Sequence, residues 1–171
     1  MVKKHQIALM LNKGTSTSPV WTRIKKSTEL TISMNPETEE NDYIADESPT
    51  TELKNYKPSI DQDLTMMKGE DDYEMMFPYF YEQRVGSEAH IECMVVFKQE
   101  PETAGGYKAW KTDAIVSVKD LNAVESKLNF QIAFGGTIEK GTATNSDGAI
   151  TFTPKAVSYT HLRAHETRRH L

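Results

Sequence analysis

The chain has 171 residues, 37% hydrophobic and 26% charged, with a formal net charge of −5, the make-up of one globular domain large enough to bury a core. Its single cysteine, Cys93, excludes an internal disulfide. No run approaches the roughly 18 apolar residues of a membrane span, and the opening MVKKHQIALMLN has too short an apolar segment for a signal peptide. Eight methionines and a mean hydropathy of −0.59 predict a thin core under much polar surface.

The elements follow in chain order. Ile7–Asn12 reads as a first strand, Val20–Ile24 as a second and Glu29–Met34 as a third, the last with Leu30, Ile32 and Met34 on one face. Asn35-Pro36 breaks it, because Pro cannot donate to a ladder. A polar excursion of more than twenty residues (about 35–59) then precedes a strand at Ile60–Met66. Loops of that length inside a compact domain are functional or disordered, and this one is read as functional.

Six acids crowd its first half, Glu37, Glu39, Glu40, Asp42, Asp46 and Glu47, with no base among them. A calcium loop has alternating Asp/Asn, a central Gly and a closing Glu, and the Gly is missing here. A solvated acidic arm is the better reading. Tyr43 and Ile44 interrupt the charge and are placed to anchor the arm on a surface, while Pro49 and Pro58 stiffen its return.

A helix is predicted over about 71–84, with Asp71 or Asp72 as cap and Gly86 as terminator. Tyr73, Met76, Phe77, Phe80 and Tyr81 recur at i, i+3, i+4, i+7 and i+8, an apolar stripe read as a plug over a sheet. Pro78 predicts a kink or a start near that residue. From Ala89 onward the pattern is β: His90–Lys98, a loop at Gln99–Gly106, Tyr107–Trp110 leading into Thr112–Lys119, and Leu128–Phe134 with Leu128, Phe130, Ile132 and Phe134 inward. Gly135-Gly136 and Gly105-Gly106 read as hairpin turns, and Asn145-Ser146-Asp147-Gly148 as a further hairpin between Ile138–Thr144 and Ala149–Thr153. The expected fold is mainly β (α+β), a β-sandwich or flattened barrel of eight or so strands with one flanking helix and a long extended loop.

The last fifteen residues, VSYTHLRAHETRRHL, hold three of the five histidines, His161, His165 and His170, and His-rich tracts can bind metal. The segment is, however, in register with the translation of a common transposase-type sequencing adapter. Residues 157–171 are therefore read as translated adapter and set aside, leaving a single domain at 1–156. Its Lys+Arg count falls from 20 to 17 and Asp+Glu from 25 to 24, a formal charge of −7.

No catalytic constellation stands out. Neither His5 nor His90 lies in a nucleophile or metal motif, and Walker A, GxGxxG and CxxC patterns are missing. Asp61 and Asp63 share a strand face, which a solvent-facing edge explains more simply than acid–base work. Basic residues are scattered. The expectation is a non-enzyme without cofactor or metal.

The order of features resembles major tail (tail tube) proteins of siphophages and prophages of Gram-positive bacteria. The carriers are Asn35-Pro36-Glu37, the acidic arm with Tyr43-Ile44-Ala45-Asp46-Glu47, Thr50-Thr51, Tyr56-Lys57-Pro58-Ser59-Ile60, Lys68-Gly69-Glu70 before the helix, and Arg84-Val85-Gly86-Ser87 after it. The resemblance implies a tail-tube-like subunit of the virion, made in the host cytoplasm. Copies would assemble into hexameric rings stacked into a tube, with tape-measure and terminator proteins as further partners and DNA passing through the lumen without specific binding or membrane contact. It makes the arm the expected subunit contact, through Pro36, Glu37, Glu39, Glu40, Asp42, Tyr43, Ile44, Asp46, Glu47 and Tyr56. Net negative charge suits a lumen that lets phosphates slide. The competing reading is a monomeric β-sandwich binding module of adhesin or carbohydrate-binding type, for which Trp21 and Trp110 are the only candidate platform.

Overall fold

The computed structural model describes residues 1, 3–42, 44, 47–103 and 105–155. The adapter reading of 157–171 lies outside the described residues. In chain order the elements are β1 (Ile7–Asn12), β2 (Trp21–Arg23), β3 (Thr31–Ser33), β4 (Pro36–Asn41), β5 (Thr50–Tyr56), β6 (Ser59–Thr65), α1 (Asp71–Tyr81), β7 (His90–Pro101), β8 (Tyr107–Asn122), β9 (Lys127–Phe134), β10 (Glu139–Ser146) and β11 (Ala149–Pro154). Nine strands form one sheet in the order β2-β1-β7-β8-β9-β6-β3, with β10 paired to β8 and β11 to β10, while β4 and β5 pair only with each other. Every pairing is antiparallel.

A short crossing turns this sheet into a flattened barrel. The Ile24 N–H donates to the Leu9 carbonyl at 3.0 Å, so the chain is still on β1 at that point. Two residues on, the Lys26 carbonyl accepts from the Thr65 N–H at 2.9 Å, and the Thr28 N–H donates to the Asp63 carbonyl at 3.0 Å. The chain has stepped from one end of the sheet to β6 near the other. In mid-crossing the N–H groups of Lys25 and Lys26 have no strand partner, and both donate to the Asp72 carboxylate at 2.9 Å. Asp72 is 2% exposed. A buried carboxylate is tolerated here because it accepts charge-assisted hydrogen bonds.

The core lies between the sheet and α1. Leu128, Phe130 and Ile132 of β9, Ile60 and Leu64 of β6, Leu9 and Leu11 of β1, and Cys93 and Val95 of β7 meet Met75, Met76 and Tyr79 of the helix. The alternating neighbours Ala8, Met10, Met94 and Val96 enter a second, smaller cluster with Ala109 and Ala143, covered by Trp21, Ile150 and Phe152. Strands β1 and β7 are thus buried on both faces, which explains their near-continuous apolar runs. Leu128, Phe130 and Ile132 point inward as expected, and Phe134 packs against the same cluster while only half-buried.

Several expectations are corrected. The third strand is shorter, Thr31–Ser33. Strand β7 runs on through Pro101, so the first three residues of the expected loop at Gln99–Gly106 are strand. Tyr107–Asn122 is one continuous strand of 16 residues. Gly135-Gly136 is not a hairpin turn: β9 and β10 pair with successive stretches of the same strand, β8, and the glycines mark a kink between them. The Asp147-Gly148 hairpin is as read, with φ of 52° and 85° at its two turn residues and Ser146 facing Ala149, the left-handed pair such a two-residue turn requires.

The helix is rotated relative to the expectation. Its buried stripe is Asp72, Met75, Met76 and Tyr79, which also fits i, i+3, i+4, i+7. The expected stripe lies largely outside it: Tyr73 and Phe77 are half-buried, Phe80 and Tyr81 exposed. These four rings pack on one another, with Phe77 5.4 Å from Tyr73, 6.2 Å from Phe80 and 6.0 Å from Tyr81. The N-cap is Glu70 rather than Asp71 or Asp72, and the helix ends at Tyr81, before Gly86. Gln83, with φ 51°, takes the left-handed position at its end. Pro78 lies inside the helix, not at its start.

Candidate functional site

The excursion between β3 and β6 is not an irregular loop but a hairpin with its own two-stranded sheet. Thr50, Thr51 and Tyr56 are strand formers, a signal inside TTELKNY that the density of acids hides. Pro36 is the first residue of β4, a position where its missing donor costs no ladder bond. Asn35 turns the chain into the hairpin at φ 43°, a left-handed conformation Asn tolerates. Its side-chain amide donates to the Lys57 carbonyl and to the Ser59 hydroxyl, both at 3.0 Å. The Lys57 N–H donates to the Met34 carbonyl at 3.1 Å. The root is therefore fixed to the barrel.

Beyond the root a bulge decides what the hairpin presents. Pro36 faces Tyr56 and Glu37 faces Asn55, but Thr38 faces Leu53, leaving Lys54 as the extra residue. Leu53 and Tyr56 are three apart, so a regular strand would put them on opposite faces. Their partners Thr38 and Pro36 are two apart, so the bulge brings both to one face, beside Thr38 and Glu40. Leu53 and Tyr56 are each 51% exposed.

The other face carries Glu37, Glu39 and Glu52. Glu37 accepts from the Lys57 ammonium; that bond, the Lys57 charge and a hydrogen bond from Asn55 hold its carboxyl below the usual carboxylate range. Lys54 lies 3.3 Å from Glu39, while Glu52 directly opposes Glu39, a like-charge pair that weakens a hairpin. All of β5 is exposed and no residue of β4 is buried. A lone two-stranded hairpin is marginal in water, and among the described residues this one pairs with no other strand of the barrel.

The structure brings Pro36, Glu37, Glu39 and Glu40 together on β4, with Tyr56 at the end of β5 and Asp42, Ile44 and Glu47 around the tip. Ile44 is fully exposed. Tyr43 and Asp46 lie outside the described residues. Sequence reasoning missed Asn35 at the root and Leu53 on the face.

The remaining candidates are accounted for within the barrel. Strand β6 lies between β9 and β3, so Asp61 and Asp63 are not on a sheet edge. Asp61 accepts from Lys119 at 2.5 Å and Gln131 at 3.1 Å, and Asp63 from Lys127 at 2.5 Å and Thr28 at 2.9 Å. These lysine hydrogen bonds and charges hold both carboxyls below their ordinary values, the opposite of what a general acid at neutral pH needs. His90 Nδ1 lies 2.6 Å from Asp113 on the surface. Trp110 packs edge-on against Phe97, centroids 5.0 Å apart, and Trp21 covers the smaller core cluster, so the two do not form a shared platform. Among the described residues no three His, Cys, Asp or Glu side chains converge as a metal site.

No protein-family model matches the chain, and no curated protein matches it. Solved structures do. A chain from the tail of an empty GTA particle, determined by helical refinement with C6 symmetry, has a TM-score of 0.54 at 16% identity, covering 81% of this chain and 97% of that one. A chain from the tube-terminating cap of the anti-feeding prophage has a TM-score of 0.50 at 12% identity, covering 84% and 92%. The chain shares their fold over nearly their whole length.

Proposed function

We propose that this chain is a structural subunit of a phage-type tail tube, copies of which form hexameric rings that stack through the arm. The observation that carries the reading is the arm itself: a fixed, bulged hairpin with its apolar pair exposed, on a body that shares the fold of the GTA tail and tube-cap chains. The C6 symmetry of that tail supports six-membered rings here, and a head-to-tail contact that does not close gives a filament. Location in the virion, exclusion of catalysis, and passage of DNA through a lumen lined by a net-negative protein belong to the same reading, as does association with other tail proteins. Assignment to siphophages or prophages of Gram-positive hosts rests on the sequence resemblance alone.

Electron microscopy and light scattering of a chain ending at Lys155 test it. Rings or tubes are expected; a strict monomer at high concentration overturns the reading. Deletion of Glu37–Thr51 is expected to abolish stacking, and tubes of unchanged length would remove the arm from the contact.

A further inference from the structure

Resting on that reading, we infer that the arm of one copy seats in a particular cleft on the body of the next. The cleft, about 460 Å³, opens where the N-terminal turn before β1, strand β2 and the segment leading into β3 meet. Ile7 and Leu30 line it as half-buried apolar surface over the buried Leu9, and Lys4, Arg23 and Lys25 stand around them, with Glu29 the one carboxylate in the lining. Among the described residues, none of these three cations has a carboxylate within 4.0 Å, whereas ten other basic groups do. The Arg23 guanidinium reaches only the His5 carbonyl, at 3.4 Å.

The arm supplies what the cleft lacks. Between Pro36 and Tyr56 the sequence holds seven acids and one base, Lys54. Of the described acids, Glu37 and Glu39 are paired with lysines and Glu40, Asp42, Glu47 and Glu52 are not. Glu40 shares the face of Leu53 and Tyr56, so one surface offers apolar side chains and negative charge together, the complement of an apolar floor with a basic rim.

Placement makes the contact one between copies. Thr28 and Leu30 line the cleft, and β3 then runs away from it along β6, Thr31 facing Asp61 and Ser33 facing Ser59. The arm leaves at Asn35, five residues beyond Leu30, at most about 17 Å at ~3.4 Å per residue. Each copy thus offers an arm at one end of β3 and a cleft at the other. A contact between two different surfaces that does not close into a ring repeats along a stack.

Charge reversal in the full chain tests this. A cleft variant (Lys4→Glu, Arg23→Glu, Lys25→Glu) and an arm variant (Glu40→Lys, Asp42→Lys, Glu47→Lys) are each expected to raise the concentration for half-assembly at least about tenfold at low salt. The two mixed into one chain are expected to recover most of that loss. A second readout does not depend on the reversed charges: Leu53→Cys and Leu30→Cys proteins, mixed and oxidised, are expected to form a disulfide heterodimer. The native thiol stays silent, since burial pushes Cys93 up to about 12. Parent-like assembly by both reversal variants, or absence of the cross-link between proteins that still assemble, overturns the seating and leaves the tube reading intact. A parent chain that forms neither rings nor tubes overturns both.

Discussion

Body and arm are both antiparallel β-structure, but different things hold them in place. In the body, β6 and β9 pair over seven residues and bury Ile60, Leu64, Leu128, Phe130 and Ile132 completely. In the arm, β4 and β5 pair over a comparable length and bury nothing. Backbone pairing is common to both, so it cannot be what makes one stable and leaves the other dependent. Apolar burial makes the difference, at roughly 25 cal/mol per Å² removed from water. The large apolar residues sit in one sheet, while a second, acidic sheet is lifted into solvent.

The largest effect is expected where that separation is most complete. Phe130→Ala removes a fully buried ring from the middle of the core and should cost about 3–5 kcal/mol in urea unfolding. A cost below about 1 kcal/mol would mean that the body does not stand on this cluster. Next comes the crossing that closes the barrel. Asp72→Ala leaves the Lys25 and Lys26 N–H groups without their acceptor and should cost about 2–3 kcal/mol. Asp72→Asn, which keeps an acceptor oxygen, should recover part of it.

Acid probes the body more gently. The Asp61 and Asp63 carboxyls lie below their ordinary values because of Lys119 and Lys127. A depressed carboxyl adds stability that is fully present above its unfolded value of about 3.9 and is lost as pH falls through the folded value. The urea midpoint should therefore hold steady near neutrality and fall below about pH 4. Asp63→Asn should lower the unfolding free energy at pH 7 by about 1 kcal/mol, the range of a partly exposed ion pair, and flatten the acid limb.

The strands of the body were legible because period-two alternation and Asp147-Gly148 are local signals. The rotation of α1 was not. Tyr73, Met76, Phe77 and Phe80 match a helical stripe as well as Asp72, Met75, Met76 and Tyr79 do, and one residue of offset is a turn of about 100°. What selects the second set is Asp72, drawn inward by two N–H groups 46 and 47 residues earlier in the chain. The arm was legible as an excursion from the body but not as a hairpin. Its acids masked the strand pattern, and its register depends on a bulge at Lys54 that no local rule dictates.

The smallest effect on stability is expected in the arm, and it bears most directly on the comparison. Leu53→Ala and Tyr56→Ala each delete a side chain that is half in water already, so unfolding of the isolated chain should change by no more than about 0.5 kcal/mol. Assembly should not be so tolerant. The bulge places both side chains on one face, and large residues grouped at the centre of a contact carry a disproportionate share of its energy. The expected outcome is a pair of variants with parental melting curves and markedly fewer rings or tubes by electron microscopy. A loss of stability equal to that of a core variant would show that the arm folds onto its own body, and the distinction between the two sheets would fall with it.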